Sequence, residues 1–362
     1  MPRETATPSP GTLFLRIPNW LGDLVLAWPV VQAAATRDLV VAGPTAFEPL
    51  VLARFPRAQY VGVSRARRYA AAGAIRKRRP SAALLLTESL SSALLAWMAR
   101  IPKRIGYGAE GRSFFLTHPV PREGKARRAP RAAEYRVLAL AAGLEVPDGA
   151  LPALTVAPGE RAAGTSALAA AGLGDVGYAV VAPGAAYGPA KQWGPERFAA
   201  VGAHLARRYG DAIVVVGTLA DQPAAGETSR IAAAAGARIL NLAGRTTLSE
   251  LVGIVAGARV VVSNDSGVMH LAAGLGRPTL GVFGSTSPVW TASDAPWTVS
   301  LYAEYPCSPC FRRTCPIGYG CLRSIPSEAG INAVERLLAP GQLAPAQVGQ
   351  RLTSTRVGEG GA

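Results

Sequence analysis

Val261-Val-Ser-Asn-Asp-Ser-Gly-Val-Met-His-Leu-Ala-Ala273 is the stretch whose reading decides the fold. The apolar run at 259–262 predicts a buried strand. It empties into Asn264-Asp265-Ser266-Gly267, and helical spacing follows from Val268. Asn, Asp and Ser favour the N-cap position, and glycine lets a backbone approach a ligand closely. Free N–H groups and the dipole at such a helix start favour an anion, phosphate above all. His270 falls one turn into this helix, beside the same mouth. A strand that hands polar groups to a helix N-terminus suggests a nucleotide or sugar-phosphate site.

The same strand–loop–helix unit recurs on both sides. Residues 12–17, 39–42, 59–63, 82–87 and 104–107 predict strands, separated by helices at 24–35, 47–54, 70–79 and 92–100. A second series has strands at 178–182, 213–216, 239–240, 259–262 and 279–283, with helices at 195–209, 224–235, 248–256 and 268–275. Repeated units of this kind imply parallel sheets with right-handed crossovers. Residues 117–135, with Pro119, Pro121, Pro130 and a basic cluster, predict a mobile loop. Residues 145–160, rich in Pro and Gly, predict a linker. With 362 residues the chain exceeds what one core usually serves, so two domains are expected, 12–150 and 151–340.

Ligands of such sheets sit at the carboxyl ends of strands. Asp23, Lys191, Asp221, Asp265 and Ser285 all fall there. Asp23 follows a glycine turn and precedes a helix. It reads either as a general base, taking a proton from an alcohol, or as an N-cap. Lys191 reads as a flexible cation neutralising a diphosphate or as a surface lysine. No G-x-G-x-x-G series and no P-loop is present, so hydride transfer and ATP hydrolysis lose support.

The four cysteines, Cys307-x2-Cys310-x4-Cys315-x5-Cys321, are confined to one short segment, so no disulfide framework spans the fold. Four thiolates so close can hold structural zinc or an iron–sulfur cluster, but the spacing is not a standard zinc ribbon, and a loop of reduced structural cysteines, or local disulfides after oxidation, is the favoured reading. Three histidines (His118, His204, His270) argue against a multi-histidine metal centre. The net charge of +15 points to an anionic partner or to a basic, arginine-rich composition without one. The polar, proline-rich opening at 1–11 does not read as a secretory leader. No run approaches the roughly 18 apolar residues of a membrane span. A cytoplasmic protein, at most peripheral on a membrane, is expected.

These residues carry a resemblance. Arg16-Ile-Pro-Asn-Trp-Leu-Gly-Asp23, Arg104-Ile-Gly-Tyr107 with Gly111-Arg112, and Pro183-Gly-Ala-Ala-Tyr-Gly-Pro-Ala-Lys-Gln-Trp193 are its first parts. Asn241-Leu-Ala-Gly-Arg-Thr246, Ser263-Asn-Asp-Ser-Gly-Val-Met-His270 and the cysteine segment complete it. Over nearly all of 12–335 the chain resembles the ADP-heptose:lipopolysaccharide heptosyltransferases of glycosyltransferase family 9. The Pro-Asn-Trp and Gly-Pro-Ala-Lys forms look like the heptosyltransferase II type. The resemblance implies an α/β fold of the GT-B kind, two facing Rossmann-like domains with an interdomain cleft, the N-terminal one binding acceptor and the C-terminal one donor. It implies an inverting transfer of heptose from ADP-L-glycero-β-D-manno-heptose to the heptosyl-Kdo2-lipid A inner core, with no cofactor or catalytic metal required.

By motif, Asp23 takes the general-base position and Lys191 the diphosphate position. Asp221 falls near the adenosine ribose, where the family has an acidic residue. Asp265, Ser266, Gly267 and His270 occupy the donor loop, and Asn19, Arg104 and Arg112 the acceptor side. The implied partners are ADP-heptose, a phosphorylated lipid A–Kdo acceptor and the anionic inner-membrane surface, met by Arg65, Arg67, Arg68, 76–79 and the basic residues of 122–131. Nucleic acid is not expected, because the basic residues lack interleaved aromatics. Three other readings stand beside this one: a family 9 transferase of another donor or acceptor (heptosyltransferase I or III type), a non-catalytic basic-surface binding protein, and a catalytically dead scaffold.

Overall fold

The computed structural model describes residues 11–64, 66–109, 111–122, 129–149, 151–339 and the backbone of 350–352. The chain divides into two compact units: Met1–Asn19 with Ala27–Ala126 and Ala132–Ala150, and Trp20–Leu26 with Arg127–Arg131 and Leu151–Ala362.

The first unit is built on a six-stranded parallel sheet. Its strands are β1 (Leu13–Arg16), β2 (Leu39–Gly43), β3 (Gln59–Gly62), β4 (Ala82–Leu85), β5 (Lys103–Tyr107) and β6 (His118–Val120), in the order β3-β2-β1-β4-β5-β6. β1, β2 and β4 are buried along their whole length. They therefore read as apolar runs rather than alternating ones, as strands covered on both faces do, broken only by Arg16 at the end of β1. Phe14, Val40, Ala83, Leu85, Ile75 and Leu95 form the core on one face.

The second unit repeats the plan. Its strands are β7 (Tyr178–Ala182), β8 (Ala212–Val215), β9 (Ile239–Asn241), β10 (Val261–Asn264), β11 (Thr279–Phe283), β12 (Thr298–Ala303) and β13 (Gln350–Leu352), in the order β13-β12-β11-β10-β7-β8-β9. Counted within the unit, both sheets follow the doubly wound 3-2-1-4-5-6 order, with one further edge strand here. The order reverses between β7 and β10, and that reversal opens a crevice at the strands' carboxyl ends.

Several local expectations are corrected. The mobile loop at 117–135 holds the edge strand β6 and the start of helix Arg131–Ala141. Pro119 is tolerated because an edge strand leaves one row of N–H groups unused. The linker at 145–160 ends inside helix Pro158–Ala170, whose Glu160 carboxylate returns to the Ala157 N–H at 3.0 Å. The helix at 24–35 is two, Leu21–Leu26 and Trp28–Ala34, the second with Pro29 in its first turn, where proline's missing N–H costs nothing. β12 and helix Ser327–Leu338 were not read from the sequence. Arg65, Lys125, Arg127 and Arg128 lie outside the described residues. Among those described, no helix is long and apolar enough to cross a membrane.

Candidate active site

The crevice of the second unit is assembled by Asn264, the last residue of β10. It is fully buried. Its Nδ2 donates to the carbonyls of Pro183 (2.7 Å) and Gly184 (3.2 Å), and its Oδ1 accepts from the Trp193 N–H at 3.0 Å. Trp193 is buried in turn, its Nε1 donating to the Ile325 carbonyl at 2.9 Å. One amide thus anchors both ends of the loop 183–193 to the neighbouring strand. Each of these groups would cost about 1–3 kcal/mol if buried without its partner, which explains why an asparagine ends an otherwise apolar strand.

That loop delivers Lys191. Nζ lies 2.5 Å from Asp265 Oδ2 and 4.8 Å from the centre of the Tyr187 ring, and its side chain is 12% exposed. The surface-lysine reading is therefore wrong. Asp265 is engaged by a full set of donors. Thr286 Oγ1 donates to Oδ2 at 2.6 Å, Thr291 Oγ1 to Oδ1 at 3.4 Å, and His270 Nε2 stands 3.6 Å from Oδ1. Burial alone would push the Asp265 carboxyl up; the Lys191 charge and the His270 contact outweigh it and hold the group well below the usual carboxylate range.

Helix Gly267–Gly274 starts at this point, with Ser266 in the N-cap position. The Ser266 hydroxyl makes no cap bond and shares a hydrogen with Ser263 Oγ at 2.9 Å. Helix Leu21–Leu26 belongs to the same unit and packs on Gly267–Gly274. A Cβ on Gly267 would stand 3.1 Å from Leu21 Cβ, and one on Gly22 would stand 2.5 Å from His270 Cδ2. Both glycines are therefore close-approach residues. Asp23 is the third residue of its helix, so it is not the N-cap. Its side chain is 28% exposed, and Arg131 Nε lies 3.6 Å from Oδ1. Asp221 is buried beneath Gly184 and Gly217, and its Oδ2 accepts from the Thr218 N–H (2.8 Å) and hydroxyl (2.7 Å).

The remaining candidates lie in the first unit. Arg16 NH2 donates to Asn19 Oδ1 at 2.5 Å, and burial lowers the Arg16 pKa to about 10. Arg104 is spent on backbone: Nε donates to the Phe115 carbonyl at 2.6 Å and NH1 to that of Ile101 at 2.5 Å. Arg112 is different. It is 1% exposed, and none of its three guanidinium nitrogens has a hydrogen-bond partner. Burial brings it down to about 10, against the pull of Glu88.

The four cysteines are free thiols. Among the described residues, no three metal-ligating side chains are gathered at binding distance. The segment that carries them braces the lysine loop. The Ala190 N–H donates to the Arg313 carbonyl at 3.1 Å, Arg313 Nε donates to the Tyr187 carbonyl at 2.6 Å, and the Phe311 N–H donates to the Ser285 carbonyl at 2.7 Å. Gly188 has a φ of +143°, and a Cβ there would meet the Arg313 carbonyl oxygen at 2.6 Å. Sequence reasoning missed Thr286, Thr291 and Tyr187, and placed Arg131 only in the basic cluster 122–131 facing an acceptor or membrane, whereas its side chain is 13% exposed and turned to Asp23. Thr286 sat within sight, one residue beyond Ser285 at a strand end; the others are visible only through tertiary contact.

Comparison with known proteins gives the family and the fold class. The profile of "Glycosyltransferase family 9 (heptosyltransferase)" matches residues 68–319. The chain is 31% identical over 294 residues to the lipooligosaccharide heptosyltransferase 2 of Haemophilus influenzae, covering 76% of this chain and 83% of that protein. It is 29% identical, with the same coverage, to the lipopolysaccharide heptosyltransferase 2 of Escherichia coli. The solved structure of the Escherichia coli ADP-heptose lipopolysaccharide heptosyltransferase II superposes with a TM-score of 0.74 at 25% identity, covering 90% of this chain and 98% of that one. The two Rossmann-like units are those of the GT-B class. With a matching profile over more than half its length, this chain belongs to glycosyltransferase family 9.

Proposed function

We propose that this chain transfers heptose, with inversion, from ADP-L-glycero-β-D-manno-heptose to the heptosyl-Kdo2-lipid A inner core in lipopolysaccharide biosynthesis. The observation that carries the reading is the buried Lys191–Asp265 pair at the point where the second sheet reverses, beside the N-terminus of helix Gly267–Gly274. The printed names of the relatives, heptosyltransferase 2 in each case reported above, supply the donor and acceptor classes.

In this reading the second unit binds the donor and the first the acceptor. An inverting transfer needs one base, an in-line approach and stabilisation of the departing nucleoside diphosphate. Asp23 takes the proton from the acceptor hydroxyl as its oxygen attacks the anomeric carbon, and the bond to the ADP oxygen breaks on the opposite face. Lys191 and the N–H groups at the start of helix Gly267–Gly274 receive the charge that develops on ADP, a preorganised electrostatic role of the oxyanion-hole kind. The reading therefore needs no metal. Asp265, with Thr286 and His270, aims Lys191; Ser266 and Gly267 line the same mouth, and Asp221 stands toward the ribose. Asn19 and the unpartnered Arg112 guanidinium are the acceptor candidates, Arg112 suited to a phosphate or a Kdo carboxylate. Arg104, tied to carbonyls, is the weaker one. The exposed Arg67, Arg76, Lys77 and Arg79 support a peripheral position on the cytoplasmic face of an anionic membrane.

The test is turnover of ADP-heptose in EDTA with heptosyl-Kdo2-lipid A against Kdo2-lipid A. Transfer to the first acceptor supports the reading. Transfer to the second alone makes the chain a transferase of the heptosyltransferase I type, and ADP-heptose binding without transfer to either moves the acceptor elsewhere. No binding of ADP-heptose overturns it.

A further inference from the structure

Asp23 carries its carboxylate on a helix of six residues. Arg131, the first residue of helix Arg131–Ala141, reaches the carboxylate through the 3.6 Å Nε–Oδ1 ion pair. The arginine side chain is 13% exposed, and its guanidinium lies 5.9 Å from the centre of the Trp290 ring. Trp290 meets Phe311 edge-on at 5.7 Å and 86°. Trp290 belongs to helix Pro288–Thr291, whose Thr291 hydroxyl points to Asp265 Oδ1, while Thr286 just upstream bonds Oδ2. The segment 286–291 therefore faces two ways. Its hydroxyls hold the aspartate that aims Lys191, and its indole backs the arginine that meets Asp23.

We propose that Arg131 is a positioning residue for the base: backed by Trp290, it fixes the Asp23 carboxylate in register with the lysine that receives the leaving diphosphate. A planar, weakly hydrated guanidinium suits this task, since it stacks on an aromatic face and pairs with a carboxylate at once. The inference rests on Asp23 being the base. Arg131 is not called on to touch the reacting atoms, and its effect is geometric: a misplacement of one ångström in such a site costs about a hundredfold in rate.

The experiment is steady-state kinetics of the full chain with ADP-heptose and heptosyl-Kdo2-lipid A, for the unaltered protein, Asp23→Asn, Arg131→Ala, Arg131→Lys and Trp290→Ala, with ADP affinity measured by calorimetry. Arg131→Ala is expected to lower kcat about ten- to a hundredfold, with the donor KM and ADP affinity unchanged. Arg131→Lys restores part of the loss, because it returns a cation to the pair without the plane that stacks on Trp290, and Trp290→Ala shows a smaller fall in kcat alone. A purely structural arginine would move kcat and ADP affinity together, and lysine would not rescue it; that result overturns the proposal. Asp23→Asn separates the two failures. If it turns over normally, the base reading falls and takes this inference with it. If it is inactive while Arg131→Ala keeps its kcat, the positioning role alone is overturned.

Discussion

Lys191 Nζ stands 2.5 Å from Asp265 Oδ2, and both side chains are shielded from solvent. A charge pair in that position holds its cation ready but engaged. An incoming diphosphate finds a lysine already desolvated and aimed, and takes over part of what Asp265 supplies. Lys191→Ala is expected to weaken ADP binding by about tenfold or more, measured by calorimetry. It also strands a buried carboxylate, so unfolding by urea should show a loss of about 3 kcal/mol. Unchanged ADP affinity would remove Lys191 from the phosphate role.

The same pair sets an acid limit. Asp265 is more acidic folded than unfolded, where an aspartate titrates near 3.9. A depressed carboxyl contributes stability that is fully present above its unfolded pKa and drains away as pH falls through the folded one. The stability gap between the unaltered protein and Asp265→Asn should therefore stay constant from neutral pH down to about pH 5 and close only at lower pH. Thermal melts of the two proteins across that range check this; a gap that closes between pH 7 and 5 contradicts it.

Gly22 and His270 form a lock. Because a Cβ on Gly22 would sit 2.5 Å from His270 Cδ2, Gly22→Ala should destabilise the protein by about 1–3 kcal/mol, the usual cost of overpacking. His270→Ala in the same chain should recover most of that loss by opening the space. Additive losses in the double variant, read by denaturant unfolding, would show that the histidine is not what Gly22 accommodates.

The thiols should differ in reactivity. Backbone N–H groups of Ile317 and Tyr319 point at Cys315 and lower its pKa, while burial, reinforced by Cys307 and Cys310, raises that of Cys321. Thiolate is the nucleophile, so iodoacetamide at neutral pH should label Cys315 well before Cys321, resolved by mass spectrometry of peptides. Equal rates would contradict this ordering.

How far the sequence could be read depended on where each residue's partners lie. The strand–loop–helix at 261–273 was legible because its signals are local: an apolar run, polar capping residues and glycine. Even so the strand runs to Asn264 rather than 262, because Ser263 and Asn264 are hidden inside the sheet, Ser263 bonded to the Asn264 carbonyl and Ser266, and Asn264 satisfied by the distant loop at 183–193. Edge strand β6 was hidden by Pro119, which an edge tolerates. Arg104 and Arg112 look alike as letters in a motif, yet one is consumed by carbonyls and the other is left unpaired. Arg131 reads in the sequence as one more member of the basic cluster at 122–131. Its place beside Asp23 is set by two segments more than a hundred residues apart in the chain.

The most direct measurement is ADP-heptose turnover by Asp23→Asn, with donor binding followed in the same preparation. The account predicts that turnover with heptosyl-Kdo2-lipid A disappears, by about a hundredfold or more, while ADP-heptose binds as before, because the base meets only the acceptor. Normal turnover, or lost donor binding in a folded protein, would contradict it.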